Sequence, residues 1–259
     1  MSATANGGAR VGAAGFGAAE PFAGGAGPSQ GPDKEFVQGM FNRVARRYDA
    51  ANRVMSGGID VVWRKKAIRR LLEGLGETPR ILDLGAGTLD GALEIARRAP
   101  GARVAAADFA REMLRAGRGK LRAGAAIDTH AADGHDLPYR DGAFDGAFSA
   151  FCVRNLRDLP RGLGELRRVV RPGGRVVILE FLRPEKPRFF FDRIWNPHVL
   201  PLLGWAVTGD RAAYRYLPDS IAAFRSTSEL AAVMNEVGFA SVETTALFPS
   251  GVATMVVAS

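Results

Sequence analysis

The stretch from Arg80 to Asp90 constrains the fold most, because a short apolar strand breaks there into glycines and restarts as a helix. Residues 81–84 predict a buried strand, and Gly85 and Gly87 follow it directly. Glycines in such a turn let bare backbone approach a ligand at the start of a helix. The pattern therefore predicts a nucleotide-binding loop in an α/β fold.

Two acidic residues near this loop indicate the kind of ligand. Asp83 lies beside the turn, and Asp108 follows the next predicted strand, about twenty residues downstream, where a carboxylate can bind two ribose hydroxyls. The loop reads Asp-x-Gly-x-Gly and lacks the full glycine pattern of dinucleotide-binding loops. A carboxylate before the glycines suits a ligand with a cationic amino-acid end. We therefore expect S-adenosylmethionine (SAM), with NAD or FAD as the open alternative.

The order of the predicted elements indicates the architecture. Predicted strands are Ile81–Leu84, Val104–Ala107, Ile127–Ala131, Phe144–Phe148 and Arg175–Phe181, with helices over Leu89–Arg98, Arg111–Arg122 and Pro160–Val170 between them. A helix over 228–239, beginning at Ser228, then precedes two closing strands, Phe239–Phe248 and Val252–Val257. The order predicts an α/β, Rossmann-like, doubly wound sheet of seven strands with an antiparallel last strand, as in class I methyltransferases. Ligands of such sheets bind at the carboxyl ends of the strands.

Polar residues follow the third and fourth predicted strands. Asp133 and Gly134 come after the third strand, where the Asp133 carboxylate or nearby backbone is expected to contact an adenine amino group; a simple turn is the alternative. Arg154 and Asn155 come after the fourth strand and are expected to face the methyl donor or its acceptor. The alternative for Asn155 is a helix cap.

The chain before the glycine loop divides into two parts. Residues 1–33 are rich in Gly and Ala and predict a disordered tail, since they cannot bury enough surface to offset the entropy of ordering. They lack the basic start and apolar core of a signal peptide. A domain over 34–259 follows the tail.

A helical pattern over residues 34–75 lies directly before the glycine loop. It is interrupted at Tyr48, Asp49 and Asn52 and broken again at Gly57. Polar residues beside a glycine hinge favour a lid over the ligand site, and plain packing on the sheet is the alternative.

Residues 184–217 form an apolar insertion between the fifth strand and the last helix. Large apolar groups crowd this segment, at Phe189, Phe190, Phe191, Ile194, Trp195, Val199, Leu200, Leu202, Leu203, Trp205 and Val207. Prolines and a glycine interrupt it, and no apolar run is long enough to span a bilayer. It predicts a helical hairpin covering the sheet, a surface for a lipid-like acceptor, or both. Tyr214 and Tyr216 are expected to line the acceptor pocket.

Charge and cysteine content suggest where the protein works. The formal net charge is +8, with many Arg and Lys at helix-like positions such as Arg64–Lys66 and Arg69–Arg70. These basic residues could form solvated helix faces, or they could bind an anionic membrane surface or nucleic acid. A membrane is the more favoured of the two partners, because no basic tract with interleaved aromatic residues is present. The single cysteine, Cys152, is consistent with a reducing cytosol, and its apolar neighbours predict that it is buried in the core. The histidines are scattered along the chain, so no metal site is predicted. We expect a cytoplasmic protein attached peripherally to the inner face of the membrane, without nucleic acid as a partner; a homodimer is an open possibility.

Four segments carry a resemblance to a known family. They are Tyr48–Ser56 continuing to Trp63, Phe151–Asn155, Arg168–Glu180 and Tyr214–Ile221. On these motifs the chain resembles the ubiquinone/menaquinone biosynthesis C-methyltransferase family over about residues 36–257. The Tyr-Asp to Trp and Tyr-Arg-Tyr-Leu segments are the more specific, because many methyltransferases share the Pro-Gly-Gly turn inside Arg168–Glu180.

The resemblance implies SAM-dependent methylation of a ring carbon on a polyprenylated hydroquinone, of either the menaquinone or the ubiquinone type. Residues expected to bind SAM are Asp83, Gly85, Gly87, Thr88, Asp108, Asp133 and Gly134. Residues expected on the substrate side are Asp49, Asn52, Asn155, Tyr214 and Tyr216. Arg154 is the candidate to stabilise a phenolate, and Asp60 and Tyr48 are the candidates for proton removal.

Departures from the family pattern keep other functions open. Leu89 replaces a glycine and would crowd SAM if its side chain faced inward, Ala150 replaces a serine, and Asp60 replaces a histidine. Ala51 and Leu182 are further departures. The alternatives are a methyltransferase for another small acceptor and a non-catalytic paralogue in a quinone-synthesis complex. An RNA methyltransferase is a weaker alternative, since no Asn/Asp-Pro-Pro-Tyr motif follows the fourth strand.

Overall fold

The computed structural model describes residues 31–122, 124–186, 198–248 and 251–259. All but the last three residues of the predicted tail therefore lie outside the described residues. Asp33, the last of them, caps the first helix by accepting a hydrogen bond from the Phe36 backbone N–H at 2.9 Å.

Nine helices and seven strands make up the described chain. The helices are α1 Lys34–Val44, α2 Tyr48–Ser56, α3 Ile59–Leu72, α4 Asp90–Arg98, α5 Arg111–Arg118, α6 Leu159–Val169, α7 Leu200–Thr208, α8 Arg211–Ala223 and α9 Thr227–Glu236. The strands are β1 Arg80–Leu84, β2 Arg103–Asp108, β3 Ile127–Ala131, β4 Phe144–Ala150, β5 Val170–Glu180, β6 Val242–Ala246 and β7 Thr254–Ala258. Short 3₁₀ turns cover Ala45–Arg47 and Val153–Asn155.

The strands form one seven-stranded sheet in the order β3-β2-β1-β4-β5-β7-β6. The first five strands are parallel, and β7 is antiparallel to both of its neighbours. The predicted fold class is therefore confirmed. Leu84 at the end of β1 pairs with Ala107 of β2 and Ser149 of β4, so the carboxyl ends of the central strands meet at one edge.

Two apolar layers cover the sheet because successive strand residues point to opposite faces. On one face Ile81 and Leu179 join a core built with α3, α4 and α5. On the other face Leu82 and Ile178 join a core built with α6 and α9. Both layers are fully buried at these positions, which fixes the register of the central strands.

A third apolar cluster lies apart from the two sheet layers. It joins α1, α2 and α8 through Val37, Met40, Ala51, Tyr214 and Tyr216. Leu203 and Val207 of α7 pack against the same cluster. These helices therefore form a layer of their own, which the next subsection relates to the ligand site.

Three predictions about elements were wrong in detail. The predicted interruption at Tyr48 to Asn52 is part of α2, and the break in the α-helix is instead the 3₁₀ turn over Ala45–Arg47 before it. Ser226 rather than Ser228 caps α9, and it forms a capping box with Glu229. α5 ends at Arg118, short of the predicted Arg122. Residues 187–197 of the predicted apolar insertion lie outside the described residues.

Candidate functional site

The turn after β1 needs glycine for two reasons. Gly85 and Gly87 have φ angles of +70° and +52°, which residues with a Cβ rarely adopt. A Cβ on Gly85 would also lie 2.4 Å from the Cys152 sulfur. The backbone N–H groups of Gly85 and Ala86 both donate to the Ala107 carbonyl, at 2.8 and 3.1 Å, which holds the turn against the end of β2.

Leu89 closes this turn without obstructing it. Its φ is +69°, so its backbone is left-handed at a position where the family that this chain resembles has glycine. Its side chain is fully buried in the core layer of α4 and α5, and a Cβ on Gly117 would lie 2.6 Å from its Cγ. The side chain thus packs toward α5, away from the ligand side of the turn. The crowding of SAM that an inward-facing Leu89 would cause does not occur.

A polar recess beside the turn, here called the loop pocket, contains an unsatisfied carboxylate. It is lined by Tyr48, Asn52, Arg64, Asp83, Gly85, Ala86, Gly87, Thr88, Asp90, Gly91, Phe148, Ala150 and Phe151. Asp83 is buried, and its Oδ2 has no hydrogen-bond partner in the described chain. Burial raises the Asp83 pKa to about 7, even though the nearby Arg64 lowers it. An ammonium group would supply the missing partner, so the residues present fit the amino-acid end of SAM.

A second recess, the Asp108 pocket, lies on the other side of Gly85. Asp108, Asp133, Gly134 and Asn155 line it. The Asp108 carboxylate accepts the Gly87 and Ala110 backbone N–H groups, each at 2.8 Å, and burial raises its pKa to about 6. The two backbone bonds fix the carboxylate beside the loop, the position in which it was expected to bind ribose hydroxyls.

Asp133 forms the turn that was its alternative role, and it also lines the Asp108 pocket. Its carboxylate accepts the His135 backbone N–H at 3.0 Å, as expected of a turn, and pairs with Lys34 of α1 at 2.6 Å. Partial burial opposes ionisation, but the hydrogen bonds from Lys34 and His135 hold the Asp133 pKa below its usual range. Asp133 and Gly134 still line the pocket, and Lys34 closes it from the side of α1.

A larger, mostly apolar cavity of about 210 Å³ lies between the α1–α2–α3 helices, α8 and the ends of β4 and β5. It is lined by Met40, Phe41, Val44, Tyr48, Asn52, Met55, Ser56, Ile59, Asp60, Trp63, Phe151, Arg154, Phe181, Ala213, Tyr214, Tyr216, Leu217, Ile221 and Val252. It shares Tyr48, Asn52 and Phe151 with the loop pocket. A ligand in the apolar cavity would therefore lie next to a ligand in the loop pocket.

Phe151 forms the boundary between the two spaces, and sequence reasoning did not single out its side chain. Its φ is +55°, a strained conformation for a bulky residue that costs ~1–3 kcal/mol. The backbone is held there by a 2.7 Å hydrogen bond from the Phe151 N–H to the Leu179 carbonyl. The ring stacks on Phe181 with centroids 4.5 Å apart, and Trp63 packs edge-on against Phe181. These rings give the cavity a flat aromatic wall.

Arg154 lies buried against the cavity in a polar cluster. Its guanidinium pairs with Glu180 and donates from Nε to Ser220 Oγ at 3.0 Å, and its backbone N–H donates to Glu180 at 3.2 Å. Asn155 does not cap α6, since Asp158 does. Instead its Oδ1 accepts the Tyr216 hydroxyl at 2.7 Å, which ties the end of β4 to α8. Glu180 and Ser220 were not predicted as site residues.

Tyr48 and Asp60 both line the apolar cavity, in different polar surroundings. Burial raises the Tyr48 pKa above its ordinary value, which favours the neutral phenol. Asp60 accepts hydrogen bonds from Ser56 Oγ at 2.8 Å and Arg64 at 3.2 Å, and it pairs with Arg53. Tyr48 is therefore suited to donate a hydrogen bond rather than to remove a proton, whereas Asp60 is an oriented carboxylate.

A network of charges joins α2 to the glycine loop. Arg53 of α2 pairs with Asp90 at 2.7 Å, and Lys120 pairs with Asp90 at 2.8 Å and with Asp49. Thr88 donates to the same Asp49 carboxylate. Asp49 was predicted on the substrate side, but it lines none of the three spaces and instead holds α2 to the loop.

The arginines of this network carried no recognisable signal in the sequence. Arg64 was read with a basic helix face, but it is buried and contacts Asp60 and Asp90. Only the position of Asp90 directly after the glycine loop could have indicated its role. In the described residues, no group of three or more His, Cys, Asp or Glu is arranged to hold a metal ion.

The family model and similar known sequences indicate the same family. A sequence model described as the ubiE/COQ5 methyltransferase family matches residues 29–258. The demethylmenaquinone methyltransferase of Thermus thermophilus is 46% identical over 202 residues, which cover 77% of this chain and 91% of the relative. The ubiquinone/menaquinone biosynthesis C-methyltransferase UbiE of Geotalea daltonii is 41% identical over 213 residues, covering 79% and 88% of the two chains.

Solved structures give the same fold at much lower identity. A putative methyltransferase in complex with the Trm112 methyltransferase activator of Haloferax volcanii superposes with a TM-score of 0.59 at 19% identity, covering 83% of this chain and 97% of that chain. A SAM-dependent methyltransferase of Thermotoga maritima has a TM-score of 0.58 at 18% identity, covering 85% and 98%. At such low identity the likeness shows the fold alone.

Proposed function

Since the chain belongs to the ubiE/COQ5 methyltransferase family, we propose that it transfers a methyl group from SAM to a ring carbon of a polyprenylated hydroquinone. Two relatives that are 46% and 42% identical are named demethylmenaquinone methyltransferases, so demethylmenaquinol is the acceptor to test first. The observation that carries the proposal is the apolar cavity, which meets the loop pocket at Tyr48, Asn52 and Phe151.

The glycine loop and its neighbours would hold SAM. Asp83 would pair with the ammonium group, Asp108 would accept the ribose hydroxyls, and the Asp133–Gly134 turn would border the adenine. Thr88 lines the loop pocket between them. Bound SAM supplies an electrophilic methyl group on a positively charged sulfur. The protein contributes by fixing its position beside the apolar cavity, and such positioning can account for ~7–11 kcal/mol of barrier lowering.

The apolar cavity would hold the quinol ring and the first part of its tail. The stacked Phe151 and Phe181 rings offer a flat surface for an aromatic ring, and Trp63 extends it. Met40, Val44 and other aliphatic groups of the lid line the remaining wall. At ~25 cal/mol per Å² of apolar surface removed from water, a buried prenyl unit adds several kcal/mol of binding.

Polar side chains around the cavity would make the ring carbon nucleophilic. Loss of the proton from a neighbouring hydroxyl raises the electron density on the carbon, and Asp60 is our candidate to accept that proton. Arg154, buried and paired with Glu180, would stabilise the resulting phenolate, directly or through water. Tyr48 would donate a hydrogen bond, and Asn52, Tyr214 and Tyr216 would orient the ring.

The helices α1 and α2 would act as a lid over both ligands. They close the apolar cavity through Met40 and Tyr48, while Asp49 and Arg53 tie α2 to the glycine loop. A lid that excludes water strengthens the electrostatic interactions inside the site. Entry of the ligands would require these contacts to open.

A substrate with a long prenyl tail resides in a bilayer, so the protein would work at a membrane surface. Among the described residues, no helix has both the length and the apolar composition needed to cross one. The net charge of +8 favours attraction to an anionic leaflet. We therefore include reversible, peripheral attachment to the inner face of the cytoplasmic membrane in the proposal.

The two alternatives differ in what they predict for ligands. A non-catalytic paralogue would fail to bind SAM, but Leu89 packs away from the turn and Asp83 retains an unpartnered oxygen. A methyltransferase for a smaller acceptor would bind SAM and methylate an untailed ring equally well. The mostly apolar lining of the cavity favours a tailed acceptor.

The test is product analysis by mass spectrometry. Purified protein is incubated with SAM carrying a deuterated methyl group and with reduced demethylmenaquinone or the benzoquinol precursor of ubiquinone, each with and without its tail. The proposal predicts labelled product from a tailed quinol and much less from the untailed ring. Binding of SAM without labelled product from either quinol would contradict it.

A further inference from the structure

The outer face of α3 carries free cations beside an apolar residue. Lys65, Lys66 and Arg69 are exposed on one side of the helix, and Val62 one turn earlier is 60% exposed. In the part of the chain that the structure describes, no ion pair or side-chain hydrogen bond engages the three cations. Arg64 and Arg70 do not belong to this face, because each is paired with carboxylates.

The end of β6 places a large apolar side chain beside the same helix. Phe248 is 85% exposed, the most exposed large apolar residue in the described chain. Its backbone carbonyl accepts the Trp63 Nε1–H at 2.7 Å, and Glu243 at the start of β6 pairs with Arg70 at 3.0 Å. Two contacts therefore hold β6 and Phe248 along α3, with Phe248 nearer the helix N-terminus.

This surface adjoins the apolar cavity. Both β5 and β6 are antiparallel to β7, and Glu180 and Ala246 both pair with Thr254, so they end at the same edge of the sheet. Trp63 of α3 and Val252, which precedes β7, line the cavity at that edge. The cations and the two exposed apolar residues thus lie on the outside of the elements that form one cavity wall.

We propose that Val62, Lys65, Lys66, Arg69 and Phe248 form a docking face for an anionic lipid bilayer. Phe248 and Val62 insert among the acyl chains, and the three cations contact the headgroups. A bilayer is the partner favoured by the pattern, because it offers negative charge and an apolar layer at adjacent depths. The inference rests on the proposed function, since it explains how a tailed quinol reaches the apolar cavity without leaving the membrane.

The test compares two triple variants that lose the same charge. The docking variant is Lys65→Gln, Lys66→Gln and Arg69→Gln, and the control is Arg103→Gln, Arg122→Gln and Arg140→Gln. The control residues are exposed and lie at or before the amino ends of β2, β3 and β4, away from Phe248 and from the cavity edge of the sheet. Phe248→Ala is a separate variant that removes the inserted ring. Binding is measured by flotation with vesicles of phosphatidylcholine alone or mixed equally with phosphatidylglycerol.

We expect a large loss of vesicle binding in the docking variant and little loss in the control. Each cation at an anionic surface contributes about fivefold in binding at low salt, so the docking variant binds mixed vesicles about a hundredfold more weakly than wild type. The control changes much less, and Phe248→Ala weakens binding at low and high salt alike. Equal losses in the two triples would assign binding to net charge alone and overturn the docking face.

Two further readouts separate this inference from the proposed function. With a short-tailed quinol in solution, the docking variant should methylate at the wild-type rate, while it loses activity toward a long-tailed quinol in vesicles. Loss of affinity for duplex oligonucleotides instead of vesicles would assign the cations to nucleic acid and contradict the proposal. If wild type binds vesicles through this face but methylates no quinol, the docking face stands and the proposed function fails.

Discussion

At the scale of single residues, Asp83 determines how the site responds to pH. Its pKa is raised to about 7 because burial penalises the carboxylate, so the folded protein holds this proton more tightly than the unfolded chain. The stability it contributes is fully present below about pH 4, the pKa in the unfolded chain, and is lost as the pH rises through about 7. The ionised form that an ammonium group requires is populated only near the upper end of this range.

We therefore expect SAM to bind several-fold more tightly at about pH 7.5 than at about pH 6, with release of a proton on binding, and the gain should level off near pH 8, where the α-amino group of SAM itself loses its proton. Titration calorimetry in two buffers of different ionisation enthalpy measures both quantities. Asp83→Asn should bind weakly and without this dependence, apart from a smaller change at lower pH from Asp108, whose pKa is raised to about 6. Wild-type affinity that is independent of pH would contradict this account of Asp83.

Leu89 gives a second prediction at this scale, because its backbone and its side chain have opposite effects on stability. Leu89→Ala removes fully buried packing and keeps the left-handed φ, so it should cost ~2–5 kcal/mol of unfolding free energy. Leu89→Gly removes the same packing but relieves ~1–2 kcal/mol of strain, so it should be the more stable variant. Urea denaturation measures both. SAM affinity should change little in either, and a large gain on shortening Leu89 would mean that its side chain obstructs the site.

At the scale of elements, α2 is attached to the glycine loop mainly by charge. The ion pairs that attach it are partly exposed, and such pairs contribute on the order of 1 kcal/mol each, so the attachment is weak enough to open. Replacing both Arg53 and Lys120 with Met should raise amide hydrogen exchange in α2 about tenfold and lower kcat/KM. Arg97→Met, which breaks a pair with Glu94 on the outside of α4, is the matched control. Unchanged exchange in α2 would show that the network does not hold the lid.

The packing of α7 on α8 is tighter and gives a different prediction. A Cβ on Gly204 would lie 2.1 Å from the Tyr214 ring, so Gly204→Ala should push α8 away and distort the apolar cavity. The KM for the quinol should rise several-fold while SAM affinity stays the same. Gly164→Ala on α6 is the control, because nothing lies within 4 Å of its added methyl group and the helix should gain up to ~1 kcal/mol. Equal effects of the two substitutions on KM would refute this role of α7.

At the scale of the whole molecule, much of the sheet could be predicted from the sequence. The contacts between helices and loops at the carboxyl ends of its strands could not. Residue patterns alone identified β1 and β3 within a residue. β1 is a buried apolar run that ends in a glycine turn, whereas β3 is an edge strand in which only Ile127 is buried. A lid over residues 34–75 was predicted, but α2 within it was not: it looked like an interruption because Tyr48 and Asp49 break the apolar pattern.

Most of the contacts missed at the site join residues that are far apart in the sequence. Arg64 looked like part of a basic helix face, and its burial against Asp60 and Asp90 depends on how α3 meets α4. The direction of the Leu89 side chain depends on a left-handed backbone that the sequence does not reveal. Glycine spacing and the position of acidic residues near strand ends did place Asp83 and Asp108 beside the loop, because those signals are local to one strand and one turn.

The central claim is that a methyl donor in the loop pocket and a quinol in the apolar cavity meet between Tyr48 and Phe151. A crystal structure with S-adenosylhomocysteine and a tailed quinol tests it most directly, since no methyl group remains to transfer. We predict the sulfur beside the glycine loop and the quinol ring against the Phe151–Phe181 stack, with one ring carbon facing the sulfur. A ring seated outside the α1–α2–α8 cavity, or nucleotide bound away from Asp83 and Asp108, would contradict the account.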